Sequence, residues 1–268
     1  MTPMSQIRAK LEARIPRLRL IDDTMAQIFF DNNIPCVETV LRTILDKPDL
    51  VVIDITLVQT QKVVHNYGGR EVRLDVYAED STGKRYNIEL QRTKAGASLR
   101  RARLNLSLMD ARALEKGEDP DKLPDTFIIF ITEEDFFKKG VTLWEAPRTY
   151  WLNGKVTDKR ADDGSHIVYV NAEYADTDTS AIGKLMKDFM TADPAQIQNE
   201  LLRERMTYFK LTEEGREKMC QVMEDLLKDE KRIFVQNMLR DGVSKEKIMQ
   251  YLHLTEEEFE ELATPLAS

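Results

Sequence analysis

Two acidic residues and an amide lie in neighbouring alternating segments, where they could bind a metal ion. Asp75 stands between apolar residues, and Glu89 and Gln91 alternate with apolar residues in the segment 85–91. Side chains two positions apart in a strand project from the same face, so Glu89 and Gln91 share a face. Antiparallel pairing of the two segments can bring Asp75 beside Glu89. Carboxylates between apolar neighbours cost free energy unless their charge is compensated, and Mg²⁺ compensates it with one or two protein carboxylates and water.

Such a site would carry out phosphate chemistry. A bound Mg²⁺ acidifies a water molecule, orients a phosphodiester and stabilises the charge that develops on the leaving oxygen. Gln91 could then position the attacking water or contact the scissile phosphate. The alternative is a solvated polar face on which Asp75 pairs with Arg73 or Arg92, because alternation is common in antiparallel sheets. The pattern alone leaves both interpretations open.

A basic segment without acidic residues follows this carboxylate strand. Its charged residues are Arg92, Lys94, Arg100, Arg101 and Arg103. At the start of the next helix they would place guanidinium groups and free backbone N–H groups near a bound phosphate. The alternative is a basic helix face exposed to water. Beside a metal site, phosphate binding is the better interpretation, and these five residues are predicted to bind nucleic acid.

Composition excludes some classes of protein. The net charge of −8 over 268 residues argues against coating nucleic acid by bulk electrostatics, although a local basic groove is compatible with it. No apolar run approaches the roughly 20 residues that span a bilayer, so no membrane partner is expected. Cys36 and Cys220 are too few for a cysteine-rich zinc site and favour buried thiols in a reducing cytoplasm.

Apolar periodicity predicts an α/β fold with a mixed sheet flanked by helices and a C-terminal helical region. Two helices divided near Pro35 are expected within residues 23–45, and a hairpin turn is expected at residues 80–83. A helix is predicted for residues 98–116, ending at Gly117, and helices again from residue 179 onward. Strands are predicted over residues 50–58, 71–78, 85–91, 127–131 and 166–170.

Four divisions of the chain follow. Residues 1–21 are expected to form a loosely held leader, 22–175 the α/β domain, 176–230 a helical extension and 231–268 a small helical unit. Within this last unit, Thr255 and Glu258 have the spacing of a capping box. A helix-turn-helix DNA reader is one interpretation of this unit. Its acidic second helix favours a role in packing or homo-oligomer formation instead.

Several segments together resemble the PD-(D/E)XK nuclease family transposases, over most of residues 22–230. The similarity lies in Gly69–Val76, Tyr86–Arg92, Arg101–Arg103, Leu114–Asp119, Leu123–Thr132 and Ile182–Phe189. The resemblance implies a restriction-endonuclease-like fold that cleaves DNA phosphodiester bonds with Mg²⁺, or with Mn²⁺ in its place.

The resemblance also implies roles for individual residues. Asp75 takes the position of the first motif acid and Glu89 that of the second, and both would bind the metal. Gln91 replaces the Lys of the general motif; since Gln cannot act as a base, water activation would depend more on the metal. Glu38 could match a helical acid that many such nucleases add as a further ligand, or could be an ordinary solvent-facing residue.

One departure concerns the helix after the basic segment. Relatives often carry aromatic residues there, whereas this chain has Leu104 and Asn105, so the contact of this helix with the sheet or with DNA is open. The sequence thus predicts a metal-dependent DNA endonuclease acting in or derived from transposition. The alternative is a catalytically inactive relative that uses residues 92–103 to bind nucleic acid or a protein partner.

Overall fold

The computed structural model describes residues 3–56 and 76–264, with side chains for residues 8–55 and 76–264. The chain forms two compact units. The larger comprises Pro16–Lys210, and the smaller comprises Met1–Ile15 together with Leu211–Ser268. None of the helices in the described ranges combines the length and the apolar composition that a bilayer span needs.

The larger unit is built on a mixed sheet. Its strands, in chain order, are β1 (Val52–Thr56), β2 (Val76–Asp80), β3 (Arg85–Gln91), β4 (Thr126–Thr132), β5 (Leu143–Glu145) and β8 (Ser165–Asn171), while β6 (Thr149–Leu152) and β7 (Lys155–Arg160) form a separate ribbon. The spatial order is β1-β2-β3-β4-β8-β5. β1, β2 and β3 pair antiparallel, β3, β4 and β8 pair parallel, and β5 returns antiparallel on β8.

Helices flank this sheet and make up most of the smaller unit. They are α1 (Pro3–Glu12), α2 (Asp23–Phe30), α3 (Ile34–Leu45), α4 (Leu99–Asp110), α5 (Ala181–Met190), α6 (Glu200–Leu211), α7 (Glu213–Arg240), α8 (Lys245–Leu252) and α9 (Glu256–Ala263). Short 3₁₀ turns occur at Ile15–Arg17, Pro120–Lys122 and Pro194–Gln196. The α/β class, the mixed sheet with flanking helices and the C-terminal helical region are all confirmed.

Local sequence explains the centre of the sheet. β3 has the predicted bounds, and β4 is buried along its whole length, as its uninterrupted apolar run predicts. The β2–β3 turn contains Gly83 at φ +82°, a conformation that glycine adopts without steric cost. The side-chain carboxylate of Asp80 closes this turn by accepting hydrogen bonds from the backbone N–H groups of Thr82 and Lys84.

The two faces of the sheet pack against different elements. Ile128, Phe130 and Tyr169 lie in a core cluster with Ala102 and other residues of α4. The residues that alternate with these along β3, β4 and β8 point to the opposite face of the sheet. On that face Tyr86, Phe127 and His166 stack on one another, and Lys47, just after α3, lies over the Phe127 ring at 5.1 Å. One face of the sheet therefore packs on α4, and the opposite face carries the aromatic stack that Lys47 contacts.

The smaller unit has its own core. Val235 of α7 packs with Ile248, Leu254, Phe259 and Leu262 from α8, α9 and the turn between them. The capping box predicted at the start of α9 is present, because Thr255 and Glu258 each accept a hydrogen bond from the other's backbone N–H.

The segment for which the sequence analysis expected a leader contains a helix and buried residues. Residues Pro3–Glu12 form α1, and Leu11, Ile15, Leu18 and Leu20 are buried. Apolar residues between the basic positions are thus buried, and α1 packs against α7. The predicted divisions at residues 21, 175 and 230 do not coincide with the two compact units, and α7 runs through residue 230 without a break.

Two further differences have physical causes. α4 ends at Asp110, before the expected Lys116, and burial ends with it, since Ala111 and Arg112 are exposed. The β6–β7 ribbon was not predicted as strands, since its residues are almost all exposed and carry no burial pattern. The turn residues Asn153 and Gly154, at φ +51° and +77°, are the local signal that could have revealed it.

Candidate active site

Glu89 is a fully buried carboxylate on the α4 face of the sheet. It pairs in register with Phe130, whose side chain lies in the cluster with α4, and its exposed fraction is 0%. Its Oε1 accepts a hydrogen bond from Asn87 Nδ2 at 3.1 Å, and its Oε2 accepts one from an Arg101 guanidinium nitrogen at 3.1 Å. Burial of a charged group is tolerated only when it is paired and hydrogen-bonded, as Glu89 is.

The contact with Asn87 is supported from α4. Asn105 Nδ2 donates to Asn87 Oδ1 at 3.3 Å, and both asparagine side chains have an exposed fraction of 0%. Asn87 Nδ2 also lies 3.4 Å from the backbone carbonyl of Val76 in β2. Asn105 stands where relatives often carry an aromatic residue. In this chain it makes a polar contact between α4 and β3.

Gln91 ends β3 and is half-buried. Its amide lies against Gly96, so that a Cβ placed on Gly96 would stand 1.7 Å from Gln91 Oε1. The loop is tight here, because Gly96 N donates to Thr93 O at 3.2 Å. Tyr169 on β8 anchors the next residue by donating its hydroxyl to Ala97 O at 3.0 Å. Glycine at position 96 is what leaves room for the Gln91 amide.

Arg92 belongs to an ion-pair network at the carboxyl ends of β3 and β4. Its guanidinium contacts Glu133 Oε2 at 2.9 Å and Asp22 Oδ1 at 3.0 Å. Arg19 binds the same two carboxylates, at 2.9 Å for Glu133 and 3.4 Å for Asp22. The hydrogen bond from Arg19, aided by Arg92, lowers the pKa of Glu133.

The other basic residues of the segment differ in their surroundings. Arg101 turns inward to Glu89, whereas Lys94, Arg100 and Arg103 are exposed. Across residues 8–55 and 76–264, these last three form no ion pair. Ser98 caps α4, accepting a hydrogen bond from Arg101 N at 3.2 Å. The exposed cations therefore lie at the positive end of the helix dipole.

Asp23, at the start of α2, is a further acid near this site. Desolvation raises the pKa of its carboxyl group, and the positive charges of Arg92 and Arg101 act in the opposite direction. The sequence analysis did not single out Asp22, Asp23 or Glu133. Glu133 is more than a hundred residues from Asp22 and Asp23 in the sequence, so local spacing carries no signal for this cluster.

Two predicted metal ligands remain, Asp75 and Glu38. Asp75 lies outside the described residues, directly before Val76, which pairs with Ile88 at the start of β2. Glu38 Oε2 accepts a hydrogen bond from Val52 N at 2.9 Å, and its Oε1 pairs with Arg42 at 2.8 Å. These contacts do not bring Glu38 to Glu89, and its assignment as a metal ligand stays a prediction.

A comparison with protein families decides the classification. The family model described as PD-(D/E)XK nuclease family transposase matches residues 30–238. The chain belongs to this family. The matched region contains the whole sheet, Glu89, Gln91 and the basic segment of this PD-(D/E)XK family member, and it confirms the resemblance and the fold class. Neither a curated protein nor a solved structure matches the sequence.

PD-(D/E)XK nucleases generally use a divalent metal ion. The oxygen donors of Glu89 and Gln91 are suited to such an ion. Glu89 supplies carboxylate oxygens and Gln91 an amide oxygen, which are ligands for a hard cation such as Mg²⁺. Among the residues with described positions, no group of three or more His, Cys, Asp or Glu side chains could hold a metal ion. Asp75, the expected partner of Glu89, is not among them.

Proposed function

We propose that this chain is a metal-dependent DNA endonuclease of the transposase type, with Asp75, Glu89 and Gln91 at its centre. The observation that carries the proposal is the buried carboxylate of Glu89, held between an amide and a guanidinium beside an exposed basic helix end. A structural core does not need such a group, because buried ion pairs add little net stability compared with apolar packing. Family membership supports the same reaction class.

In this proposal each residue of the centre has one task. Asp75 and Glu89 would hold Mg²⁺, or Mn²⁺ in its place. Their sequence neighbours Val76 and Ile88 pair across β2 and β3, which supports this assignment. When bound, the cation supplies an acidified water and stabilises charge on the leaving oxygen. Gln91 orients the attacking water or the phosphate through its amide, and it does not act as a base.

The basic residues would divide the work of holding DNA. Lys94, Arg100 and Arg103 are exposed and make no described ion pair, so they can bind backbone phosphates. Arg101 lies between this surface and Glu89, where it can contact the phosphate that reacts. Arg92 contributes less to phosphate binding because Asp22 and Glu133 already neutralise its charge.

The test is plasmid nicking by purified protein with and without Mg²⁺. Wild type is expected to nick only with the metal. Asp75→Asn and Glu89→Gln are expected to lose about 100-fold in rate, because the cation that activates the water is no longer held. Matched controls are Asp162→Asn and Glu257→Gln, which make the same chemical changes at exposed positions. Equal nicking by wild type and both centre variants would mean a contaminating nuclease and would refute the proposal.

A second candidate is a protein of the same fold that binds nucleic acid without cutting it. The ion pair between Arg101 and Glu89 favours it, since this pair already compensates the buried charge without a cation. Wild type would then shift labelled DNA in a gel equally with EDTA and with Mg²⁺, and no product would form. Glu89→Gln would leave this binding unchanged.

A further inference from the structure

We infer that Asn105 is a positioning residue that acts through Asn87 to set the orientation of Glu89 for metal binding. This inference rests on the proposed function and assigns a role in it to α4. The supporting contacts form a chain of side-chain hydrogen bonds. Asn105 Nδ2 donates to Asn87 Oδ1 at 3.3 Å, and Asn87 Nδ2 donates to Glu89 Oε1 at 3.1 Å.

The direction of these hydrogen bonds depends on how the Asn87 amide is oriented. An asparagine amide accepts hydrogen bonds at its oxygen and donates them at its nitrogen. The donor from Asn105 holds the oxygen of Asn87 toward α4, and this turns the Asn87 NH₂ group toward Glu89. A rotated Asn87 amide would face Glu89 Oε1 with an oxygen, and two acceptors would then repel each other. Asn105 thus selects the orientation of Asn87 that supports the carboxylate, together with the Val76 carbonyl, which lies 3.4 Å from the same NH₂ group.

Asn105 and Arg101 act on the two oxygens of Glu89 from the same helix. They are four residues apart and therefore lie on one face of α4. Arg101 binds Oε2 directly, whereas Asn105 reaches Oε1 through Asn87. The contact between Arg101 and Glu89 joins two full charges. A metal ion would compete with Arg101 for the carboxylate, and a phosphate would compete with Glu89 for the guanidinium. The amide chain is neutral and can persist when a cation binds, so it can keep the carboxylate plane fixed in both states.

Burial makes the amide chain sensitive to substitution. Both asparagines are inaccessible to water, so neither contact can be replaced by a water molecule from the surface. Within the described part of the chain, Asn105 Oδ1 is buried and has no hydrogen-bond partner. An unpaired buried oxygen is costly. Packing alone would favour an apolar residue at this position, so the polar contact with Asn87 is the reason for asparagine here.

The test measures metal affinity in the absence of DNA. Mn²⁺ binding to the full-length chain is followed by the loss of the free-ion electron paramagnetic resonance signal, for wild type, Asn105→Leu and Asn105→Asp. Removing a residue that orients a metal ligand usually weakens binding about 10- to 100-fold, and this is expected for Asn105→Leu. Asn105→Asp is expected to lose at least as much, because a carboxylate would attract the Asn87 NH₂ group and turn its oxygen toward Glu89.

Controls separate positioning from folding. Asn237→Leu makes the same change on the exposed face of α7 and should bind Mn²⁺ as wild type does. Thermal unfolding with EDTA shows whether each variant is folded, and DNA binding with EDTA should stay within about twofold of wild type. If Asn105→Leu does not fold, Asn105→Ser, which leaves only a small cavity and cannot reach Asn87, takes its place.

The outcomes for this inference and for the proposed function differ. Folded Asn105 variants that bind Mn²⁺ as tightly as wild type refute the positioning role and leave the nuclease proposal standing. A wild type that neither binds Mn²⁺ nor nicks DNA refutes both. Weakened Mn²⁺ binding together with unchanged DNA binding supports the role, because a merely structural defect would reduce both.

Discussion

Gln91 and Gly96 are in such close contact that the side-chain amide of one occupies the space of a Cβ on the other. The distance from Gln91 Oε1 to that Cβ position would be 1.7 Å. Any residue larger than glycine at position 96 must therefore displace the Gln91 amide. Because the amide is the end of a flexible side chain, the fold can adapt while the geometry at the end of β3 changes.

Gly96→Ala is therefore expected to slow DNA cleavage about 10- to 100-fold with little change in stability, since a displacement of about 1 Å near a reacting centre has effects of this size. Single-turnover cleavage and thermal unfolding measure the two quantities. In a Gln91→Ala background the same substitution should cost little more, because its target is already absent. Additive losses in the double variant would show that Gly96 acts independently of Gln91.

Arg101→Met should destabilise the protein when no metal is present. The substitution leaves the buried Glu89 carboxylate without its guanidinium, and a hydrogen bond to a charged group contributes about 1.5–3 kcal/mol. The lower end of this range is expected, because the Arg101 side chain is 37% exposed. Urea unfolding with EDTA measures the loss.

Added Mg²⁺ should restore more stability to Arg101→Met than to wild type, since it would replace the missing positive charge. Arg100→Met, at the exposed neighbouring position, is the matched control and should change stability by less than about 0.5 kcal/mol. An equal Mg²⁺ effect on wild type and Arg101→Met would contradict the proposal that the cation and Arg101 share Glu89.

The exposed cations of α4 and the loop before it should contribute to DNA affinity through phosphates. Replacing Lys94, Arg100 and Arg103 together by serine is expected to reduce the slope of log K against log salt by about 3, one unit for each lost phosphate contact. Fluorescence anisotropy over a salt series measures this slope. A triple variant with the wild-type slope would place the DNA elsewhere.

Arg92→Ser should have a smaller effect on that slope, because Asp22 and Glu133 neutralise its charge in the free protein. Lys155 and Lys159, exposed on the β6–β7 ribbon, supply a control variant in which two lysines of a different element are replaced by serine. If this ribbon variant changes the slope as much as the triple variant does, the effect reflects net charge and not a phosphate-binding surface.

Glu133 should make the stability of the protein depend on pH in the acid range. Its pKa in the folded state is held below the ordinary value of 4.5, first by the hydrogen bond from Arg19. The unfolded chain therefore takes up this proton at a higher pH than the folded chain does. The stabilisation is complete above the unfolded pKa and is lost as the pH falls through the folded pKa.

The Glu133→Gln variant lacks this titration. Its deficit in unfolding free energy relative to wild type should be largest near neutral pH and should shrink as the pH falls below about 4.5. Urea unfolding at several pH values checks this, with the exposed Glu257→Gln as the matched control. A deficit that stays constant into the acid range would show that the ion pair with Arg19 does not stabilise the fold.

Local patterns in the sequence determined the centre of the sheet and the order of the elements around it. The alternation of β3, the apolar run of β4 and the turn at Gly83 each depend on residues close together in the chain, and the structure confirms all three. The family follows from the order and spacing of several segments and is likewise confirmed. The assignments of Asp75 and Glu38 to a metal site remain predictions.

Only the tertiary structure decided which side chains meet Glu89. Asn105 lies 18 residues from Asn87 in the chain and contacts it because α4 packs on the face of the sheet to which Asn87 points. Arg19 reaches Glu133 over 114 residues in the same way. Periodicity predicts which face of an element is buried. It does not predict which other element packs on that face or at which position along it. Those two choices come from packing between distant segments, and they decide how the Glu89 carboxylate is held.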